Sequence, residues 1–216
     1  MRAQGVALVT GLVILAAISL LAITAAGGMS LQRHQAANFQ DRLRARSAAD
    51  TAQWAAQAWL YSRPDSDRQI DCDTACFLPE AIHPAGALPA QPEFLSARWW
   101  NDHATPSDRH PVSGDAPGFR TTIGPGAAWI MQELHFEALD PTGNERNAGG
   151  VGYYRVLSRG AGRQAKTVAV TEAIVARPWH GAHEPAAYPP ERPLRTFCAQ
   201  FDSAPPCGVL SWRELR

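Results

Sequence analysis

The sequence predicts an α+β fold: a long N-terminal helix, apolar enough in its first half to cross a membrane, packed on a small antiparallel sheet with long Pro/Gly-rich loops. Three observations predict it. Residues 3–32 contain no charged side chain. The stretch that follows is rich in Ala, Gln, Arg and Leu and has no proline before Pro64. Residues 127–177 then hold three segments with strand composition, separated by clusters of turn formers.

The totals bound the rest. A chain of 216 residues is long enough for one ordinary domain and an extra element. Lys+Arg and Asp+Glu are equal at 20 each, so no broad positive field exists to attract nucleic acid, and no nucleic-acid partner is expected. Gly and Pro number 17 each and concentrate in the middle and at the end, where they mark loops.

The helix is expected over residues 6–61. From Val6 to Ala26 the only polar side chains are Thr10, Ser19 and Thr24, and a helix of that length rises about 30 Å, the thickness of a bilayer's hydrocarbon layer. A cleaved secretory signal has a shorter apolar region behind a more basic start, although the small residues Ala25 and Ala26 also admit a signal peptidase. Beyond Gly27-Gly28, apolar residues recur at three and four: Phe39, Leu43, Ala45, Ala48, Ala49, Ala52, Ala55, Ala56, Trp59 and Leu60 read as one stripe facing a sheet.

These residues carry a resemblance. The short leader "MRAQG", the apolar run "QGVALVTGLVILAAISLLAIT" and the continuation "LQRHQAANFQDRLRARSAADTAQWAAQAWL" resemble the N-terminal region of type IV pilins and pseudopilins, and within them the PilX group of minor pilins. In that group a polar segment of "N-x-x-D/R" character leads into an Ala-rich stretch. The resemblance implies a leader of residues 1–5, cleavage by a prepilin peptidase after Gly5, and methylation of the new amine of Val6. It implies an inner-membrane protein spanning once at about residues 6–26, with a periplasmic globular part that reaches the cell surface in an assembled pilus. Its partners would be other minor pilins, the major pilin, and a tip adhesin. Most pilins start the mature chain with Phe and carry Glu at its fifth position; here those places hold Val6 and Thr10. A subunit without that Glu fits a tip or priming position, having no neighbour above it to bind. The alternatives are a type II secretion tip pseudopilin and a membrane-anchored or exported periplasmic binding protein or enzyme.

Residues 62–126 read as a loop-rich inserted region, in which the adjacent Trp99 and Trp100 cannot share one face of a strand. Residues 127–216 read as the sheet and a C-terminal loop. In "AAWIMQELHFEAL" both alternating faces are mixed, whereas "VGYYRVLSRG" and "QAKTVAVTEAIVAR" are clearer strands, joined by the Gly-bearing "RGAGR". The "R-x-x-x-R-G" pattern there also resembles the final hairpin of minor pilins.

Of the three pairings open to Cys72, Cys76, Cys198 and Cys207, the sequential one is favoured because short loops close at little entropic cost. Four thiolates holding zinc is the competing reading, against which the spacings argue. The resemblance adds that a disulfide-bounded loop near the C-terminus of pilins often contacts neighbours.

No catalytic residues, metal site or cofactor are expected. His180 and His183 are three apart but follow a strand and Pro178, so no helix aims both rings at a metal. His103 and His110 with Asp102 and Asp108 read as a solvated loop, and so do Asp65, Asp67, Asp71 and Asp73, which lack the spacing of a calcium loop. No nucleophile elbow, P-loop or dinucleotide fingerprint occurs.

Overall fold

The computed structural model describes residues 3–63, 82–107, 126–138, 149–164, 166–179, 197–198 and 206–216. Helix α1 runs Ala3–Tyr61. The chain divides into two compact units, residues 1–41 and 42–216. The first is helix throughout its described residues. The second joins the end of α1 to a six-stranded sheet and a short helix.

The strands are β1 (Ile82–His83), β2 (Thr105–Pro106), β3 (Ala128–Ala138), β4 (Gly150–Ala161), β5 (Val168–Trp179) and β6 (Gly208–Glu214). Their order is β1-β3-β4-β5-β6, with β2 also on β3. β3, β4, β5 and β6 form an antiparallel meander, and β1 alone is parallel to its neighbour. The sheet is therefore mixed, and larger than the three strands legible in the sequence. The β4–β5 connection is closed by Gly162 N–H donating to the Thr167 carbonyl at 2.8 Å.

The mixed faces of β3 have a physical resolution. Its register against β4 shifts between Glu133 and His135, and one extra residue moves every later side chain to the opposite face. Trp129 and Met131 therefore point at α1 before the shift, and Phe136 packs against the same cluster after it.

On that side Ala52, Ala56, Trp59, Leu60 and Tyr61 of α1 meet Trp129, Met131, Tyr154, Val156, Ala173, Val175 and Trp179 in one buried core. The Trp59 and Trp129 rings lie 5.4 Å apart. Further up, Ala45 and Ala49 are buried against Ala169. Small residues let the helix sit directly on the backbone of the sheet, and at Gly160 the two backbones meet closely. A Cβ there would run into the Ala45 carbonyl oxygen and the Ala49 nitrogen, and would lie 2.8 Å from the Ala48 carbonyl carbon.

The opposite face carries a smaller core of Trp100, Ile130, Leu157 and Val170. Trp100 arrives there on helix α2 (Ala97–His103), which Ser96 caps by accepting the Trp99 N–H at 3.2 Å. Helical geometry sends Trp100 inward, where its Nε1 donates to the Pro92 carbonyl at 3.0 Å. Trp99 is left half-exposed, stacked on His103 at 4.5 Å.

Candidate functional site

The first candidate is the apolar start of α1. All side chains from Val9 to Ile23 are exposed in the isolated chain, the large apolar ones from 57% at Ile18 to 72% at Ile23. A contiguous apolar surface of that extent marks a lipid or protein interface, and this helix is long and apolar enough to cross a membrane. Gly5 and Val6 lie in its first two turns, and Thr10 stands among the exposed positions.

The lower helix departs from the stripe expected from sequence. Ala45, Ala49, Ala52, Ala56, Trp59 and Leu60 are buried as the period demands. Phe39 and Leu43 are exposed, and so is Trp54. Leu43 and Trp54 are three turns apart on one face, away from the alanines. The helix thus has two apolar faces, one filled by small residues against the sheet and the other bearing large residues without cover from the described chain.

Polar contacts fix this helix to the last strand. The Gln53 Oε1 accepts from Thr171 Oγ1 at 3.2 Å and from Trp212 Nε1 at 3.0 Å, which ties α1 to β5 and β6 at once. Arg46 pairs with Glu214 at 3.4 Å and lies 5.5 Å from the Trp212 ring centroid. Burial raises the Asp50 carboxyl above the usual carboxylate range; Arg46 counters this and Glu214 adds to it.

A second cluster closes the end of α1. Arg177 is fully buried and donates through Nη1 to the Leu60 carbonyl at 2.8 Å and through Nη2 to the Arg63 carbonyl. It supplies a cation to the carbonyl end of the helix, where the dipole favours one. Its guanidinium is 3.5 Å from the Trp179 ring centroid and 5.4 Å from that of Phe197. Phe197 in turn lies 4.8 Å from the Tyr61 ring. The Tyr61 hydroxyl donates to the Ala176 carbonyl at 3.1 Å, and burial pushes its pKa well up, with Arg177 opposing. Beside Phe197 the disulfide Cys198–Cys207 has an S–S length of 2.05 Å. It joins this aromatic cluster to the start of β6.

Sequence reasoning passed over Arg177, Gln53 and Gly160. The available signal was polar side chains at positions that the strand and helix periods assign to the core, and a glycine where a strand should carry a side chain.

Cys72, Cys76, His110, Asp108, His180, His183 and the aspartates 65, 67, 71 and 73 lie outside the described residues. His103 is on α2, where its Nδ1 lies 2.8 Å from the Trp99 carbonyl oxygen, and Asp102 lies 3.9 Å from Arg98. Among the described residues no group of three or more His, Cys, Asp or Glu is placed to hold a metal ion.

A helix apolar enough at its start to cross a membrane, continued by an Ala-faced half laid on a mixed sheet, defines an α+β protein. Residues 4–52 match the family model of the PilX N-terminal region, so that segment is similar to the N-terminal part of PilX-like type IV pilins. The match ends within the lower half of α1, before the sheet begins. No curated protein and no solved structure gives a significant match.

Proposed function

We propose that this chain is a non-enzymatic, minor-pilin-like subunit of a type IV pilus, acting in its tip or priming complex. The observation that carries the reading is the exposed apolar half of α1 within the segment that matches the PilX N-terminal region. Prepilin peptidase cuts after Gly5 and the amine of Val6 is methylated. The protein waits in the inner membrane through residues 6–26 with its sheet in the periplasm. On assembly the helix exchanges lipid for the helices of other minor pilins and the major pilin. Lipid tails and Leu side chains are about equally apolar, so close van der Waals fit decides that exchange; Gly11, Ala16 and Ala17 are small enough to allow it. Thr10 replaces the carboxylate that an ordinary subunit inserts at a cost of about 3 kcal/mol. It cannot ion-pair with a neighbour's amine, which suits a subunit at the end of a filament, in contact with a tip adhesin.

Mass spectrometry of the N-terminus of protein recovered from cells tests the processing. The expected result is a chain beginning at N-methylated Val6. A start near Gly27, or an intact Met1, overturns the reading. Position is tested separately, by labelling: signal confined to filament ends is expected, and even labelling along the shaft refutes the tip assignment.

A further inference from the structure

The two ends of the sheet differ. The outer edge of β3 is occupied by β1 and β2, whereas β6 pairs only with β5. Which backbone groups of β6 are left over follows from the alternation of hydrogen bonds in an antiparallel pair. Val170 turns both its groups to the end of β6, accepting from the Leu215 N–H at 2.8 Å and donating to the Arg216 carbonyl at 2.9 Å. Glu172 and Ile174, two and four residues on, therefore do the same for their partners Arg213 and Ser211. The N–H and C=O of Trp212 and Glu214 point out of the sheet, and among the described residues no backbone group meets them.

This edge is open on both faces. Residues 209–214 are all exposed, Val209, Leu210 and Trp212 among them. Native edges are commonly blunted by Lys, Pro, a bulge or a covering loop. Over residues 211–214 β6 has none of these, since its register shift against β5 falls nearer its start, between Ile174 and Val175. Toward α1, Trp212 is held by Gln53 and Glu214 by Arg46. Going round the helix from its Ala face, Arg46 and Gln53 come first and Leu43 and Trp54 next. The exposed Leu43 and Trp54 thus overhang the lane just outside β6. On the other face Arg213 and Arg155 share the buried Glu172, whose Oε1 accepts from Arg213 Nε at 2.8 Å and Oε2 from Arg155 Nε at 2.6 Å. Two guanidiniums thus face one saturated carboxylate, and the Arg213 side chain, 65% exposed, keeps its Nη1 free.

We propose that β6 is completed by an extended segment of a partner protein, added antiparallel as a further strand, with apolar side chains toward α1 and a carboxylate opposite Arg213. An open row of backbone donors and acceptors is met in full by another extended backbone. The side chains to either side set its alternation: apolar against Trp212, Leu43 and Trp54, acidic against the unneutralised guanidinium, since directly opposed residues of opposite charge stabilise a pair of strands. A second copy of β6 does not meet these demands. Paired antiparallel with its outward groups in register, it sets Arg213 against Ser211, Leu215 or another Arg213, while its one carboxylate, Glu214, faces the other side. The edge belongs to the single chain, so a negative result leaves the proposed place in a pilus untouched.

The test uses the full chain in non-ionic detergent micelles and fluorescence anisotropy of a labelled peptide that alternates Val and Glu over the length of β6. Saturable binding is expected, weakening as salt rises. In an antiparallel pair the N–H groups that face β6 are those of the Val residues, so N-methylation of the Val residues should abolish binding and N-methylation of the Glu residues should leave it unchanged. Glu214→Pro removes an outward N–H and no bond to β5, and is expected to lower affinity about tenfold. Glu214→Ala loses only the exposed pair with Arg46, a weak contact, and should bind as wild type does. The methylated peptides decide the matter even if Glu214→Pro disturbs β6. Absence of saturable binding overturns the proposal, as does an equal effect of the two methylation patterns, or equal affinity for a peptide with Lys in place of Glu. Self-association of the protein that Glu214→Pro abolishes, without peptide binding, would overturn it in favour of a second copy at this edge.

Discussion

Replacing Gly160 with alanine should separate α1 from the sheet. The added Cβ would meet the Ala45 carbonyl oxygen and the Ala49 nitrogen, and would stand 2.8 Å from the Ala48 carbonyl carbon. Ordinary contact begins near 3.4 Å, so the least crowded of the three demands a retreat of at least about 0.6 Å, and the other two demand more. All three obstacles are backbone atoms of a packed helix, so no side-chain rotamer relieves them. Opening a gap of about 0.5–1 Å forfeits about a quarter to a half of each dispersion contact along the seam, and Ala45, Ala49 and Ala52 lie on it. Overpacking typically costs about 1–3 kcal/mol; with backbone on both sides, Gly160→Ala belongs at about 3 kcal/mol. The assay is urea unfolding of the full chain in detergent micelles, followed by fluorescence of the buried Trp59, Trp129 and Trp179. With a slope of about 1–3 kcal/mol per molar urea, the midpoint should fall by about 1–3 M. A midpoint within about 0.2 M of wild type would show that the helix does not rest on Gly160 and would refute the seam.

Three further predictions follow from the cluster at the end of α1. Arg177→Met keeps the length of the side chain but leaves the Leu60 and Arg63 carbonyls without their donor; a loss of about 2–3 kcal/mol in chemical denaturation is expected, and Arg177→Lys should not restore it, because an ammonium cannot lie flat on Trp179. Cys198→Ser opens the Cys198–Cys207 loop and should lower stability by about 2–3 kcal/mol; a reducing agent should destabilise wild type much more than this variant. Tyr61 sets an alkaline limit. Its folded pKa is raised by burial, so the folded chain keeps the proton above pH about 10 while the unfolded chain gives it up. Its contribution is thus fully present below pH about 10 and is lost as pH rises beyond that. Tyr61→Phe should flatten this part of the stability profile, measured as thermal unfolding midpoint against pH, and an unchanged slope would refute it.

How much of this was legible in the sequence differs by element. The apolar run of α1, its Ala face and the three strands of the meander have signals within a few residues of each other, namely charge, period and turn composition. The short strands β1 and β2 carry only two residues each and have no period to read. β6 was missed because its exposed Val209, Leu210 and Trp212 follow a proline-rich tail and alternate with nothing buried. Trp99 and Trp100 could be read as one in and one out, but not as helical, since the Ser96 cap gains meaning only once the element is in place.

The chain's own order of residues determined that it carries a membrane-length helix, that the continuation of this helix would face a sheet with small residues, and that β-rich segments would supply that sheet. Those outcomes rest on solvation and local period, which act between near neighbours. Tertiary structure alone decided that Gly160 admits the helix backbone, that Arg177 closes the end of α1 from a strand more than a hundred residues away, and that Phe39, Leu43 and Trp54 face outward. Each depends on which distant backbone lies within a few ångströms, and a linear pattern holds no record of that distance.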